Sequence, residues 1–138
     1  MQLMYLLMQT KEINCLVGIQ YMDQRVEYIY VNWNGDISGV GRVLHTHYRQ
    51  REKVLELIMT GSRQGLESDD ITPDMETYKA AKVVQNDKAY FGITHPQYPI
   101  NYYYLFTLDS TWIVYEPVDD NEEHDNTHAL FTYFGAFQ

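Results

Sequence analysis

The stretch WNGDISGVGRVLHTHYRQREKVLELIMTG, residues 33–61, decides the fold of this 138-residue chain. It contains the end of a strand, a glycine-rich turn and two short helices. Apolar side chains recur at three- and four-residue spacing, which gives each helix one apolar stripe. The stripes consist of Val40, Val43, Leu44, His47 and Tyr48 in the first helix and of Val54, Leu57 and Ile58 in the second. We expect Asp36 or Ser38 to cap the first helix and Gly61 to end the second.

Two hairpins flank this stretch. Alternating side chains predict strands at residues 13–21 and 25–33, and again at residues 102–108 and 111–116 about Asp109-Ser110. The order of hairpin, helices and hairpin predicts an α+β fold. We expect a mainly antiparallel sheet of two hairpins with two to three short helices packed on one face.

The remaining segments are less regular. A third helix is predicted over residues 74–83, an irregular segment over 86–99 and a last strand over 130–137. The first residues are predicted to add an edge strand.

The chain length predicts one domain, residues 1–138, with an acidic loop at about 117–127. Cys15 is the only cysteine of the sequence, so we expect a buried thiol and neither a disulfide nor a cysteine-based metal site. The N-terminal run MQLMYLLMQTKE lacks a positive charge ahead of its apolar residues and is too short to span a bilayer. We therefore expect no signal peptide and no membrane helix.

The formal net charge of −9 argues against general nucleic-acid binding, because phosphates repel an acidic surface. The charge is uneven along the chain. Two acidic segments contain Glu67, Asp69, Asp70, Asp74 and Glu76, and Glu116, Asp119, Asp120, Glu122, Glu123 and Asp125. Basic residues predominate between the first hairpin and the first acidic segment: Arg42, Arg49, Arg51, Lys53 and Arg63. These patterns predict a small basic face on an acidic body.

The turn before the first helix is a candidate anion site. Exposed N–H groups and the helix dipole favour a phosphate or carboxylate there, with Ser38, Gly39, Gly41 and Arg42 as the ligand-binding residues. The alternative is structural, because small residues let a helix lie close to a sheet. The motif lacks the third glycine of a dinucleotide fingerprint and the Gly-Lys-Ser/Thr of a P-loop.

We predict no catalytic residue, metal or cofactor. His124 and His128 are four residues apart beside several carboxylates, but the Asp-Asn-Thr between them predicts a loop without the fixed geometry of a zinc site. Ser38 with His45 or His47 would supply a nucleophile and a base, although the sequence has no Gly-x-Ser-x-Gly pattern.

The second hairpin is rich in aromatic residues. Tyr102, Tyr103 and Tyr104 with Trp112 and Tyr115 place rings on both of its faces, because a strand shows alternate residues to opposite sides. A base-stacking surface would need lysine or arginine nearby. We therefore expect a protein contact, with Tyr102 and Tyr104 as anchors.

The sequence also shows a family resemblance. The segments IYVNWNG (residues 29–35) and SGVG (38–41), then Tyr48 and Gly61, and the later YLFT (104–107) and WIVY (112–115) resemble a family of small bacteriophage proteins of unassigned function. That family has a strand ending in Trp-Asp-Gly, a Gly-x-Gly motif, two helices and a closing hairpin; here Asn34 stands in place of the aspartate. The resemblance implies an origin in a phage or another mobile element.

The sequence therefore favours a non-catalytic phage protein acting in the cytoplasm of a bacterial host. We expect it to bind and inhibit a defence or host nucleic-acid enzyme, such as a CRISPR effector, partly by acidic mimicry of nucleic acid. The expected partner is a protein with a basic nucleic-acid-binding surface, and we expect neither nucleic acid nor a membrane to bind directly. A homo-oligomer is compatible with the sequence. The alternative is a small-molecule or nucleotide-binding protein that sequesters a defence signal at residues 39–41.

Overall fold

The computed structural model describes residues 11–73, 79–117 and 126–135. Its strands are β1 (Cys15–Gln20), β2 (Val26–Val31), β3 (Lys82–Val84), β4 (Tyr102–Phe106), β5 (Trp112–Tyr115) and β6 (Thr127–Ala129). Together they form a six-stranded sheet in the order β3-β2-β1-β4-β5-β6. Both predicted hairpins are present, as the antiparallel pairs β1–β2 and β4–β5. The hairpins join through β1 and β4, which run parallel. The predicted α+β class with a mainly antiparallel sheet is confirmed.

The helical elements follow the predicted stretch closely. One π-helical turn (Ile37–Gly41) leads directly into α1 (Arg42–His47), and α2 (Arg51–Met59) follows after a short link. Further along the chain lie α3 (Asp87–Phe91) and a 3₁₀ turn (Leu130–Tyr133). Within the described ranges, no helix has the length and apolar character that a membrane crossing requires.

One face of the sheet carries α1 and α2. The apolar stripes of the two helices bury Leu44, Tyr48, Val54, Leu57 and Ile58 against this face. The strands contribute alternate residues, which include Cys15 and Val17 of β1 and Tyr104 and Phe106 of β4. The apolar stripes of the two helices and the alternate side chains of the strands thus pack together in one core.

The opposite face is also covered, which corrects the prediction that all helices pack on one face. Tyr90 of α3 is fully buried against this face with Leu16 and Tyr103. Gly18 permits the approach, because a Cβ atom there would lie 3.0 Å from the Tyr90 ring. β1 is therefore buried along its whole length.

Three segments differ from their predicted structure. α3 lies in the segment predicted to be irregular, and the side chain of Asn86 caps it by accepting a hydrogen bond from the Ala89 N–H. Residues 82–84 form an edge strand paired with β2 instead of the end of a helix. This strand contains two β-branched valines, which favour extended backbone. Residues 74–78 and the predicted N-terminal edge strand at residues 1–10 lie outside the described residues.

The predicted last strand at residues 130–137 is wrong over its described part. The strand lies earlier, at β6, and the chain then turns through the 3₁₀ segment. Leu130 and Phe134 are both buried in the core. Thr132, which lies between them, is exposed, whereas a strand would bring residues 130, 132 and 134 to the same face.

Candidate interaction surfaces and a ligand pocket

Three N–H groups and one hydroxyl of the turn before α1 donate to acceptors within the same turn. The N–H groups of Gly39 and Gly41 point to the carbonyl oxygen of Asp36 at 3.0 and 3.2 Å, and the Val40 N–H donates to the carbonyl of Asn34 at 2.8 Å. The Ser38 hydroxyl donates to Oδ2 of Asp36 at 2.8 Å. Asp36 occupies the cap position as predicted, but its carboxylate accepts this hydroxyl and makes no cap bond to a backbone N–H.

Both glycines of this turn lie close to other atoms, and the packing at Gly39 leaves no room for a Cβ atom. A Cβ atom at position 39 would lie 2.1 Å from the carbonyl oxygen of Asn34, and one at position 41 would lie 3.2 Å from the Tyr104 hydroxyl. Arg42 stacks on Phe134, with its Cζ atom 4.8 Å from the ring centroid. These contacts favour the structural interpretation of the turn over an anion site.

Two of the basic residues predicted to form a surface serve as internal anchors. Arg51 donates to the carbonyls of Gln20 and Thr107 at 3.0 and 2.9 Å, and thereby ties α2 to the ends of β1 and β4. Arg63 is only 8% exposed. Its guanidinium donates to the carbonyls of Gly65 and Thr72 at 3.0 and 2.9 Å.

The first acidic segment is a loop that Arg63 holds against the body. Glu67, Asp69 and Asp70 are exposed on it. Asp69 lies 3.9 Å from the ammonium group of Lys53. Oδ1 of Asp70 accepts hydrogen bonds from the Thr72 hydroxyl and N–H, which lower the pKa of Asp70. Asp74 lies outside the described residues.

The second acidic segment begins beside Tyr102. Tyr102 and Glu116 line a shallow pocket of about 270 Å³ together with Asn101. Burial raises the pKa of Tyr102, and the negative charges of Glu116 and Asp36 raise it further. Tyr102 and Glu116, which were predicted as contact residues on separate grounds, thus line the same pocket.

Tyr104 is a correction to the predicted surface. Its side chain is fully buried, and its hydroxyl donates to the carbonyl of Gly35 at 2.7 Å. Tyr104 therefore anchors the core and is not accessible to a partner. It shares a sheet face with Tyr102, but α1 and the turn before it cover Tyr104, whereas Tyr102 lies at the start of β4 and keeps part of its ring exposed.

The structure describes the second acidic segment only as far as residue 117. Asp119, Asp120, Glu122, Glu123 and His124 lie outside the described residues. His128 is exposed on β6, with its ring centroid 6.3 Å from that of Tyr133. Among the residues that the structure describes, no cluster of His, Cys, Asp and Glu is suited to a metal ion.

The candidate nucleophile and base make separate contacts. Ser38 is engaged by Asp36, while the His45 ring stacks on Phe134 with centroids 4.9 Å apart. Burial lowers the pKa of His45, and the charges of Arg49 and Arg42 lower it further. His45 is therefore mainly neutral at pH 7.

His45 also belongs to a pocket that the sequence reasoning did not identify. This cavity of about 180 Å³, the His45–Arg49 pocket, is lined by His45, Arg49, Thr111, Trp112, Leu130 and Phe131, among others. His45 and Arg49 are close in sequence, and Arg49, which lies just after α1, folds back to donate from its Nε to the carbonyl of His45 at 2.7 Å. The apolar residues of the pocket come from distant segments of the chain. The sequence therefore showed that His45 and Arg49 are neighbours, but not that apolar side chains join them.

Comparison of the chain with protein-family models, with curated proteins and with solved structures gives no match. The functional argument therefore depends on the geometry of the described surfaces.

Proposed function

We propose that this chain is a non-catalytic protein of phage or mobile-element origin that binds and inhibits a bacterial defence or host nucleic-acid enzyme, for example a CRISPR effector. It acts in the bacterial cytoplasm by covering the basic nucleic-acid-binding surface of that enzyme. The net charge of −9 supports a partner with a basic surface, and the family resemblance supports only the phage or mobile-element origin.

The observation that carries the proposal is the convergence of Tyr102 and Glu116 at one pocket. We define the Tyr102–Glu116 patch by these two residues, which line the same pocket. An aromatic face next to a carboxylate suits the guanidinium of arginine, which stacks on rings and pairs with carboxylates. Arginine and lysine are the side chains that nucleic-acid-binding surfaces display.

The exposed carboxylates of the 66–72 loop supply a second negative surface. Arg63 holds the loop backbone at Gly65 and Thr72, so less backbone conformational entropy is lost when a partner binds the loop. Surface charges of this kind mainly accelerate association, and their effect falls with salt.

The experiment uses the full chain as bait in a bacterial host lysate, followed by a nucleic-acid binding assay of each captured protein. We expect the captured enzyme to lose nucleic-acid binding at a stoichiometric amount of inhibitor. The double variant Tyr102→Ala/Glu116→Gln should inhibit about tenfold less, a loss of roughly 1.4 kcal/mol. Glu56→Gln, an equal charge change on the exposed side of α2, is the matched control and should inhibit normally.

Two results would contradict the proposal. One is a captured enzyme that retains full nucleic-acid binding when saturated with this protein. The other is a double variant that is folded and inhibits as well as the wild-type chain. A third variant, with Asp119, Asp120, Glu122 and Glu123 neutralised together, tests whether the second acidic segment contributes.

The alternative, sequestration of a nucleotide at residues 39–41, has less support. Three of the N–H groups that would bind a phosphate already donate to carbonyls of the same turn. Calorimetry with cyclic and ADP-ribose-type nucleotides tests it, and heat that disappears in an Arg42→Gln variant would favour it over the proposal above.

A further inference from the structure

A further pocket lies on the sheet face that α3 covers. Alternation along β5 turns Val114 to the core under α1 and α2, and Tyr115 to the opposite face. There the ring of Tyr115 meets the ring of Phe91 at the end of α3, with centroids 5.0 Å apart. A cavity of about 410 Å³, which we call the Phe91–Tyr115 pocket, is lined by these two residues and by Asp87, Lys88 and Gly92.

The two rings of this pocket are held in place and remain accessible. Tyr103 is 4% exposed and packs edge-on against both, with centroids 6.3 Å from Phe91 and 5.6 Å from Tyr115. The fully buried Tyr90 lies 5.5 Å from the ring of Phe91. Phe91 and Tyr115 are themselves only half-buried, so each keeps part of its side chain open to solvent. A ligand ring can therefore stack on them without displacing a core side chain.

The polar border of the pocket carries one charge of each sign. Asp87 and Lys88 are both exposed. Oδ1 of Asp87 accepts the backbone N–H of Lys88 at 2.8 Å, which leaves Oδ2 for a ligand. Within the described part of the chain, the Lys88 ammonium group makes no ion pair or hydrogen bond, and the Asp87 carboxylate makes no ion pair. Both groups are therefore available to a ligand.

The balance of these charges limits the class of ligand. A molecule with a single charge is attracted by one of the two side chains and repelled by the other, whereas a zwitterion is attracted by both. An α-amino acid carries its ammonium and carboxylate groups on one carbon atom, and Asp87 and Lys88 are consecutive residues. The two charges of such a ligand can therefore meet both side chains at once.

The volume of the pocket limits the size of the ligand. A protein cavity of about 150 Å³ holds one benzene ring. A volume of about 410 Å³ therefore accommodates a ring together with a short polar chain. It also falls within the range of about 300–1,000 Å³ that is typical of small-molecule sites.

We propose that the Phe91–Tyr115 pocket is a binding site for a free aromatic α-amino acid. The ring of the ligand packs on Phe91 and Tyr115, its carboxylate faces Lys88 and its ammonium group faces Asp87. Tyr102 packs on the opposite face of the sheet. The pocket is therefore separate from the Tyr102–Glu116 patch, and the two sites can be tested independently.

The test is an NMR titration of the full-length chain with phenylalanine, observed at the backbone amide signals of Lys88 and Gly92. We expect both signals to shift with a dissociation constant on the order of 1 mM, as suits so small a ligand at an open site. The amide signal of Gly65 is the internal reference, because Gly65 does not line this pocket.

Four related ligands separate the contributions of ring and charge. Alanine, which has both charges without the ring, should bind about tenfold more weakly than phenylalanine. Phenethylamine lacks the carboxylate and hydrocinnamate lacks the ammonium group. Each should bind about threefold more weakly, because an exposed ion pair contributes little. N-acetylphenylalaninamide, which presents the ring as an internal peptide residue does, lacks both charges and should bind more weakly still.

Two variants assign each charge to its side chain. Lys88→Gln should remove the preference for phenylalanine over phenethylamine, and Asp87→Asn should remove the preference over hydrocinnamate. The Asp87→Asn variant keeps an oxygen that can accept the Lys88 N–H. Lys79→Gln, the same chemical change at an exposed lysine outside the lining, should bind phenylalanine normally.

Three results would each overturn the proposal. The first is the absence of any shift of the Lys88 and Gly92 signals at a phenylalanine concentration well above 1 mM. The second is binding of N-acetylphenylalaninamide that equals the binding of phenylalanine. The third is an unchanged ligand preference in folded Lys88→Gln and Asp87→Asn variants.

Discussion

The substitution Gly39→Ala tests whether the glycine-rich turn exists for packing. The added Cβ atom would lie 2.1 Å from the carbonyl oxygen of Asn34, more than 1 Å inside normal contact. That oxygen also accepts the Val40 N–H at 2.8 Å, so relief of the clash requires backbone movement and loss of this bond.

The magnitude follows from three contributions. Overpacking against backbone costs about 3 kcal/mol, and a lost hydrogen bond about 1 kcal/mol. Replacing glycine by alanine in a helical segment returns about 1 kcal/mol. We therefore expect Gly39→Ala to lower the free energy of unfolding by about 3 kcal/mol.

Two other glycines provide graded controls. At Gly41 the added atom meets the side chain of Tyr104 at 3.2 Å. We expect about 2 kcal/mol for this contact, offset by about 1 kcal/mol for replacing glycine in a helical conformation, and therefore a net loss of about 1 kcal/mol. This loss should shrink in a Tyr104→Phe background, because the hydroxyl is removed. At Gly65 no heavy atom lies within 4 Å, so Gly65→Ala should be neutral or stabilise by up to about 0.5 kcal/mol.

The assay is urea unfolding followed by tryptophan fluorescence and far-UV circular dichroism, with linear extrapolation to water. A Gly39→Ala variant as stable as Gly65→Ala would refute the packing argument. If that stable variant also lost binding to an anion, the turn would be a ligand site after all.

Three further outcomes follow from the described contacts. Arg63→Ala should lower the free energy of unfolding by about 3 kcal/mol, because two hydrogen bonds from a charged, buried donor to the carbonyls of Gly65 and Thr72 are lost. It should also expose the 66–72 loop to limited proteolysis, and an unchanged cleavage rate would contradict the anchoring role. Asn86→Ala should lower the free energy of unfolding by about 1 kcal/mol, because the α3 cap is lost. Asn86→Asp should keep most of the stabilisation, because its carboxylate can accept the same hydrogen bond. Equal stability of the two variants would argue against capping. Burial raises the pKa of both Tyr48 and Tyr103 to about 12, so the folded state holds protons that the unfolded state releases near pH 10. The free energy of unfolding should therefore keep its full value below pH 10 and fall between about pH 10 and 12. A free energy of unfolding that does not change over that range would contradict the burial of these two side chains.

Local patterns explain why the two hairpins and the helical stretch could be predicted. Strand alternation, tight turns such as Asp109-Ser110 and the apolar stripes of α1 and α2 depend on residues close in sequence. The same approach missed α3, because a helix of five residues gives little periodicity and Gly92, Pro96 and Pro99 follow it. The strand predicted at residues 130–137 was wrong for a related reason. An aromatic composition is compatible both with a strand and with a turn that packs on the core.

The candidate sites were less predictable than the fold. Alternation placed Tyr102 and Tyr104 on the same sheet face, but it gave no information on what covers that face. Glu116 and Tyr102 were each proposed as contact residues without any indication that they share a pocket. The His45–Arg49 pocket required Trp112 and Phe131, which are more than 60 residues away from its cationic side.

The sequence alone determined the α+β class, both hairpins, the helical stretch at residues 37–59 and the acidic charge. These properties arise from composition and from interactions between near neighbours in the chain. Only the tertiary structure decided the parallel pairing of β1 with β4, the covering of both sheet faces, the burial of Tyr104 and Arg63, and the assembly of the two pockets. The physical reason is that each of these depends on which distant segments pack together, and that choice reflects the summed burial and hydrogen bonding of the whole chain.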